Sequence, residues 1–440
     1  RTDIQALRGL AVLLVLFDHA KIGPFEAGYL GVDVFFVISG YLITGMVRDG
    51  LADGTFGFAS FYFRRAKRLL PAAYVTFAVT AAIAPFVLTV TENWEFRRQL
   101  AGAVTFTGNV VLWMQTGYFE GAAELKPLLH VWSLSIEEQY YLLLPASMAL
   151  VPRRFWRAGA AAILAGSLAL CLAVLPFEPS AAFYLLPTRT WELAVGSVAA
   201  LGMFEGTKAR AVVERLFVPG LIALALLPCV PLGLPHPGAA AMIVCAATLV
   251  VVLRKHPACE ASLACRGLAF FGDFSYSLYL VHWPIFAFLN CAYVGEPARL
   301  PRVVAMVLAI LVALVLYRTV ELPVRRSSVR ISWRSVAAIV SGSCALIAVP
   351  VLAAKGRAPD TSYEAVRRIN YGFDEACEFT SDEFVPSLKC ANSTRPEVLV
   401  WGDSYAMHLV PGIVSVTGTG IVQATRSYCG PLARIFHRPA

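Results

Sequence analysis

Long apolar segments separated by short polar stretches run along most of the chain. The first covers residues 4–20, and about 20 mainly apolar residues are enough for a helix to cross a bilayer. Further apolar segments cover residues 30–47, 71–90, 128–150, 158–175, 185–204, 216–232, 239–253, 270–292, 303–320 and 336–353. The pattern predicts an all-α polytopic membrane bundle with about ten core transmembrane helices and one linking helix.

Two regions depart from this pattern. Residues 100–114 are apolar but form a short segment that contains Thr105, Thr107 and Asn109. Backbone that does not complete a span must be buried in protein, so we expect this segment to be re-entrant or half-buried in the bundle. From Lys355 onward the chain becomes polar, which predicts a soluble C-terminal region.

Composition and charge agree with a membrane protein. Of the 440 residues, 58% are hydrophobic and 15% are charged, which excludes an ordinary soluble globular protein. The net charge of +8 does not require a nucleic acid partner, and we expect none, because Lys and Arg collect on alternate loops. These basic loops are residues 64–68, 153–157, 208–215, 254–266 and 318–334. The positive-inside rule then predicts a cytoplasmic N-terminus and an outer C-terminal region, in a chain that we expect to be truncated at both ends.

The first apolar segment carries Arg8 near its start and Asp18 and His19 near its end. Arg8 and His19 are eleven residues apart, which is about three helical turns, so they lie on one face of the helix with about 16 Å of rise between them. Charged side chains inside a membrane usually face protein or a wet cavity. One interpretation is a functional face with a fixed cation and a titratable imidazole. The alternative is that Arg8 reaches lipid phosphates and His19 lies among the headgroups.

A second cluster of charge precedes the third apolar segment. Arg65 and Arg68 are three residues apart and share a helical face. Two guanidinium groups on one face are suited to binding a polyphosphate such as that of coenzyme A. The competing interpretation is an ordinary basic topology anchor.

Other ionisable residues lie in or beside later segments. His130, Ser133 and Glu137 fall on one helical face at the start of residues 128–150. His282 lies deep in residues 270–292, and Glu321 ends the segment that follows. For each there is a structural alternative: an acidic helix start, a neutral hydrogen-bonded histidine, or an ion pair between Glu321 and Arg325.

The polar C-terminal region contains an apolar strand pattern, residues 398–401, followed by Gly402, Asp403 and Ser404 and then a helical pattern. This places Ser404 at a strand-to-helix turn, where backbone N–H groups can hold an oxyanion. Cys377 and Cys390 lie in the same region and are expected to face an oxidising compartment, where they could pair.

Six ordered blocks resemble the membrane-bound acyltransferase-three family, in the form fused to a C-terminal SGNH hydrolase-like domain. The blocks are RGLAVLLVLFDHA, GYLGVDVFFVISGYLI, FYFRRAKRLLPA, LLHVWSLSIEEQYYLLLP, FGDFSYSLYLVHWP and VELPVR, and VLVWGDSY resembles the first SGNH block. The resemblance covers essentially the whole chain. It implies a membrane acyltransferase domain at residues 1–330, a linking transmembrane helix at 331–360 and the start of a periplasmic α/β SGNH-like domain at 361–440.

The resemblance also implies an activity. Such proteins are bacterial inner-membrane enzymes that move an acyl group, acetyl by default, from cytoplasmic acyl-CoA to a hydroxyl of an exported glycan. The acceptor stays open among O-antigen of lipopolysaccharide, peptidoglycan and other polysaccharides. Acyl-CoA would be a donor substrate, and we expect no bound cofactor and no metal.

The residues that match family positions have roles by the same resemblance. The resemblance implies that His19 is the catalytic imidazole. As a mechanism, we expect Arg65 and Arg68 to hold the acyl-CoA phosphates while the thioester threads through the bundle towards His19. The catalytic set is His19, Asp18 and Ser404, the donor set is Arg8, Arg65 and Arg68, and further functional candidates are His130, Glu137, His282 and Glu321.

Several mechanistic choices stay open. His19 is either a general base or a transient acyl carrier, oriented by Asp18, Glu137 or another carboxylate. Ser404 would relay the acyl group to a sugar. The competing functions are a transporter or flippase with intramembrane proton relays, and an esterase anchored by the bundle.

Overall fold

The computed structural model describes residues 1–116, 123–204, 206–230, 233, 235–254, 262–293, 295–329, 331–353, 370–379 and 387–426. The chain divides into two compact units. The first comprises Arg1–Thr116 with Glu120–Ala358, and the second comprises Gly117–Phe119 with Pro359–Ala440.

The first unit consists of helices joined by short connections. In chain order the helices are α1 (Thr2–His19), α2 (Gly31–Ala52), α3 (Phe58–Val87), α4 (Val90–Val104), α5 (Gly108–Met114), α6 (Val131–Leu150), α7 (Trp156–Val174), α8 (Pro179–Tyr184), α9 (Leu186–Ala200), α10 (Thr207–Leu226), α11 (Ala239–Arg254), α12 (Leu263–Asp273), α13 (Ser275–Ala292), α14 (Arg299–Leu316), α15 (Leu322–Arg326) and α16 (Trp333–Ala353). A π-helical turn, Tyr317–Glu321, joins α14 to α15. Short 3-10 turns occupy Gly28–Leu30, Ala123–Leu125, Arg153–Phe155 and Leu227–Cys229.

Several helical segments are suited to a bilayer. Five segments in the described part of the chain are long and apolar enough to span a membrane: Gly28–Ala52, Phe58–Val87, Arg153–Val174, Lys208–Cys229 and Arg299–Arg326. Ala239–Arg254 and Trp333–Ala348 are apolar but shorter. The chain is therefore a multi-pass membrane protein, while the expected number of about ten core spans stays a prediction.

Helix α14 shows the surface pattern of a lipid-facing helix. Ala305, Ala309 and Ala313 are buried at a spacing of four residues where α14 packs against α13. Large apolar side chains of the same helix, including Val307 and Leu311, are exposed. Small residues at the helix contact and large apolar residues outside are typical of packing in membranes, where lipid takes the place of a core.

Helix α1 is held in place by a backbone-to-backbone contact with α12. A Cβ atom at Gly9 would lie 1.8 Å from the carbonyl oxygen of Leu268, and one at Gly272 would lie 2.0 Å from the carbonyl oxygen of Gln5. Only glycine permits this approach at both positions. The contact fixes the helix that carries Arg8 and His19.

Two apolar segments are broken where the sequence pattern runs on. Residues 270–292, expected as one span, are divided at Phe274 into α12 and α13. Beside the break, the Gln5 amide donates to the Asp273 carboxylate at 2.7 Å, and the Ser275 hydroxyl donates to the Gly272 carbonyl at 2.9 Å. The expectation of one helix there is wrong.

Residues 100–114 are divided as well, between α4 and α5. Phe106 has a φ of 56°, and its carbonyl oxygen accepts a hydrogen bond of 2.8 Å from Gln139. The side chain of Asn109 is buried and bonds the carbonyl of Tyr184 at 3.0 Å. This agrees with the expectation of a segment packed within the bundle rather than one continuous span.

The second unit contains two parallel strands and a helix. Strand β1 (Val398–Gly402) pairs with β2 (Ile421–Thr425), and α17 (Ser404–Thr417) connects them. Val400, Val410 and Ile421 form the small core of this β-α-β arrangement. Short 3-10 turns occupy Glu375–Cys377 and Leu388–Cys390, and a disulfide joins the two cysteines at their ends, as expected.

Candidate functional site

The first of two cavities lies beside the start of α1 and is called the arginine cavity here. It has a volume of about 210 Å³ and is lined by side chains of α1, α2, α3, α4, α6 and α13 and by Phe106. Its charged lining residues are Arg8, Arg65, Arg68, Glu137 and Glu138. The three predicted donor-binding arginines are therefore brought to one place, although they come from two helices.

Two of the arginines of α3, Arg65 and Arg68, line this cavity. Arg65 donates to Glu138 at 3.0 Å, and its guanidinium lies 4.1 Å from the centre of the Tyr141 ring. The Nε atoms of both arginines are buried and have no hydrogen-bond partner among the described residues. Arg65 is thus fixed by Glu138, while both guanidinium groups keep hydrogen-bonding capacity for a ligand.

The carboxylate of Glu137 is also held by neutral donors. Its two oxygens accept hydrogen bonds of 3.1 Å from the Ser39 hydroxyl and 3.1 Å from the Tyr141 hydroxyl. Glu137 therefore belongs to the arginine cavity, and the sequence-based option that it orients His19 is not the arrangement in the structure.

His19 pairs with a second histidine. Its Nδ1 atom lies 3.1 Å from Nε2 of His282, and Nδ1 of His282 lies 3.1 Å from the carbonyl oxygen of Leu278. A carbonyl only accepts, so His282 must carry its proton on Nδ1 and present a lone pair at Nε2. His19 must then donate from Nδ1, which leaves its own Nε2 as the basic atom. His282 takes the orienting position that the sequence left to Asp18 or another carboxylate.

His130 and Tyr279 complete a buried aromatic layer around this pair. The His130 ring centre lies 5.8 Å from that of His282, and the Tyr279 ring centre lies 5.3 Å from it. The Tyr279 hydroxyl lies 2.7 Å from that of Ser133 and donates to the His130 carbonyl at 3.2 Å. In the described part of the chain no group of three or more His, Cys, Asp or Glu side chains is placed to hold a metal ion.

The second cavity lies beside the end of α1 and is called the His19 cavity here. Its volume is about 470 Å³. It is lined by Phe17, Asp18, His19, Lys21, Ile22, Gly23, Phe25, Glu26, Glu124, Trp283, Phe286, Asn290 and Arg302. Asp18 thus shares a cavity with His19, and its carboxyl group interacts with the backbone of Tyr29.

The two cavities share no lining residue. Tyr279 lines the arginine cavity and contacts the ring of His282. His282 is in turn hydrogen-bonded to His19. A line of side-chain contacts through Tyr279 and His282 therefore connects the arginine cavity with His19. The expected thioester path to His19 stays a prediction.

Ion pairs connect the cations of the His19 cavity to carboxylates. Lys21 lies 3.0 Å from Glu296 and 3.5 Å from Glu124, and Arg302 lies 3.0 Å from Glu296. The hydrogen bond from Lys21 and that from Arg302 hold the pKa of Glu296 below its usual range. Both cations are therefore already matched by negative charge.

Glu321 lies apart from both cavities, in the π-helical turn. Its carboxylate accepts a hydrogen bond of 2.6 Å from the Ser277 hydroxyl and is buried. The cations whose charge acts on it are Arg68, Arg325 and Arg8. The close partner of Glu321 is therefore a serine, rather than the arginine of the competing ion-pair interpretation, and its functional role stays a prediction.

In the second unit, Ser404 is the first residue of α17, directly after β1. Asp403 caps this helix by accepting a hydrogen bond of 2.9 Å from the Tyr405 backbone N–H. The expected strand-to-helix turn is confirmed, while the role of Ser404 stays a prediction.

Sequence reasoning missed a buried ionic cluster in the membrane unit. Arg189 lies 3.0 Å from Asp33 and 2.8 Å from Glu192, and all three side chains are fully buried. The Arg189 guanidinium also packs over the rings of Phe36, Trp132 and Phe183. A signal existed, since charged residues inside apolar segments are costly unless paired.

Comparison with known proteins follows the same division of the chain. Residues 1–318 match the family model of an acyltransferase domain, and residues 364–439 match that of an SGNH domain of the kind fused to such domains. No solved structure matches the chain.

Three relatives indicate the range of similar proteins. A putative membrane-bound transacylase, BcsY, of Komagataeibacter xylinus is 34% identical over 290 residues, covering 64% of this chain and 72% of its own length. The O-acetyltransferase OatA of Staphylococcus aureus is 27% identical over 347 residues, covering 73% and 57%. The putative peptidoglycan O-acetyltransferase YrhL of Bacillus subtilis is 29% identical over 357 residues, covering 74% and 55%.

The chain thus spans just over half the length of the last two relatives. The acyltransferase match covers most of the chain and includes both cavities, and the first relative supports it independently. The chain belongs to the acyltransferase family whose membrane domain is joined to an SGNH domain.

Proposed function

We propose that the chain is an O-acyltransferase of the bacterial inner membrane. Acyl-CoA enters from the cytoplasm at the arginine cavity, and the acyl group passes to a glycan hydroxyl at the His19 cavity. An acetyl group and a polysaccharide acceptor are favoured by the names of the relatives, which include O-acetyltransferases and a putative peptidoglycan O-acetyltransferase. We keep the domain limits 1–330, 331–360 and 361–440 as part of this proposal.

One observation carries the proposal. Two cavities of different chemistry lie along α1: Arg8 lines the first, and His19, at the end of the helix and bonded to His282, lines the second. The first offers guanidinium groups, which are suited to phosphates, and the second offers an imidazole with Nε2 as its basic atom.

The chemical step follows from this tautomer. His19 Nε2 accepts the proton of the acceptor hydroxyl while that oxygen attacks the thioester carbonyl carbon. A C–O bond forms and the C–S bond breaks. The proton then passes from His19 to the thiolate of the leaving group, and free coenzyme A is released. An acyl-carrier role for His19 would use the same Nε2 atom.

Membranes containing the full-length protein and acetyl-CoA labelled in the acetyl group test this function. We expect label in the glycan as an alkali-labile ester. A transporter would move label without forming the ester, and an esterase would release acetate from prelabelled glycan. Either of those results would replace the proposal.

Replacing His282 separates an orienting role from packing. We expect His282→Phe to lower kcat by about 10- to 100-fold, less than the ~10⁴-fold that follows loss of a charged orienting group in serine proteases. The reason is that His19 loses the acceptor that fixes its tautomer. His282→Gln, whose amide can accept from His19 and donate to Leu278, should retain most activity. Equal losses in both variants, with unchanged pH profiles, would indicate packing alone.

Replacing Ser404 tests the relay. In the full-length protein, direct transfer at the His19 cavity predicts that Ser404→Ala keeps glycan labelling, whereas a relay through Ser404 predicts that this variant loses it. Ser415→Ala, an exposed serine of the same helix, is the matched control. Full glycan labelling by the Ser404→Ala variant would show that the membrane domain transfers the acyl group without Ser404.

A further inference from the structure

The His19 cavity has the features of a site for an uncharged, hydroxyl-rich ligand. Its volume of about 470 Å³ lies within the usual range of small-molecule sites. His19 lines it, so a ligand there reaches the imidazole directly. The cavity is therefore a place where an acceptor hydroxyl and the proposed base can meet.

Charge in this cavity disfavours an anion. Lys21 and Arg302, its two cations, are engaged by Glu296 and Glu124. The carboxyl groups of Asp18 and Glu26 add further oxygen acceptors to the lining. Such acceptors suit hydroxyl donors and repel carboxylates or phosphates, in contrast to the arginine cavity at the other end of α1.

Aromatic faces provide the apolar part of the cavity. Phe17 and Phe25 stack with ring centres 5.3 Å apart, and Trp283 meets His19 edge-on at 4.5 Å. The indole N–H of Trp283 already donates to the Lys126 carbonyl at 2.7 Å. Trp283 therefore offers its ring surface rather than a donor, which suits the C–H face of a pyranose.

We propose that the His19 cavity binds an uncharged sugar unit of the acceptor glycan, with carboxyl oxygens of Asp18 and Glu26 accepting its hydroxyl hydrogens and Phe25 and Trp283 packing against its ring. This inference rests on the proposed transferase function for the identity of the ligand as acceptor. It adds the side chains that contact the sugar and the charge class of that sugar.

Binding of two matched glycosides to the purified full-length chain in detergent tests the inference without turnover. Methyl glucoside and methyl glucuronoside differ only at C6, where the second carries a carboxylate. We expect methyl glucoside to bind and methyl glucuronoside to bind at least about tenfold more weakly. Glu26→Gln should narrow that difference, and Phe25→Ala should weaken binding of both.

Matched controls lie away from the cavity. Asp53→Asn alters an exposed acid between α2 and α3, and Phe177→Ala alters a phenylalanine that is 83% exposed; neither should change binding. Equal affinity for the two glycosides, binding of neither, or equal effects of the controls would overturn the inference. A different result would contradict the transferase proposal: labelled acetyl would not be transferred to any glycan.

Discussion

His19→Ala is expected to lower acyl transfer by about 10²- to 10⁴-fold, the range for loss of a positioned general base. The variant removes the only group placed in both the buried histidine pair and the His19 cavity, among the residues that the structure describes. The measurement is the rate of glycan labelling from labelled acetyl-CoA at matched protein levels.

His19→Asn distinguishes loss of the base from loss of the structure. An asparagine amide can still donate a hydrogen bond to His282 but cannot take a proton at neutral pH. We expect it to be as inactive as His19→Ala while unfolding at the temperature of the parent protein. Activity within a fewfold of the parent in either variant would remove His19 from the chemical step.

Arg68→Ala is expected to raise the KM for acyl-CoA by about 10- to 100-fold, because a hydrogen bond to a charged group contributes about 1.5–3 kcal/mol. Arg65→Ala should weaken donor binding as well, but it also removes the partner of Glu138 and should destabilise the protein by about 1–3 kcal/mol. The double variant should lose measurable binding of coenzyme A, observed by calorimetry.

Arg64→Ala is the matched control for these variants. Arg64 belongs to the same basic stretch of α3 but is exposed, and it is absent from the lining of the arginine cavity. A topology anchor would make all three arginines equivalent. A loss of affinity for acyl-CoA in Arg64→Ala as large as that in Arg68→Ala would therefore favour a topology anchor and oppose a phosphate-binding role for Arg68.

Much of the membrane unit was predictable from residue pattern. Apolar segment length indicated a polytopic bundle. The i,i+3 spacing of Arg65 and Arg68 indicated one helical face, and both side chains line the arginine cavity. These predictions succeed because helix geometry relates spacing to position directly.

Contacts between distant segments were not predictable in this way. The 263-residue separation of His19 and His282 gave no signal of their hydrogen bond, so the orienting group was sought among carboxylates. The break at Phe274 lies beside a hydrogen bond between Asp273 and Gln5, 268 residues away in the sequence, which no local pattern encodes. Tertiary packing decided both features.

The Arg189 cluster illustrates a different limit of prediction from sequence. Asp33, Arg189 and Glu192 lie inside apolar segments; Arg189 and Glu192 pair within α9, while Asp33 reaches Arg189 only once α2 and α9 meet. Hydropathy averages conceal such residues, because two or three charges hardly alter a segment of about 20 residues. Close attention to intramembrane charge would have found them.

The sidedness of transfer tests the central claim most directly. Vesicles containing the full-length protein in one orientation receive labelled acetyl-CoA on one face and glycan on the other. The account predicts ester formation only when acetyl-CoA is on the face of the arginine cavity and the glycan on the face of the His19 cavity, with loss in His19→Ala. Equal labelling with acetyl-CoA supplied on the His19-cavity face would contradict it.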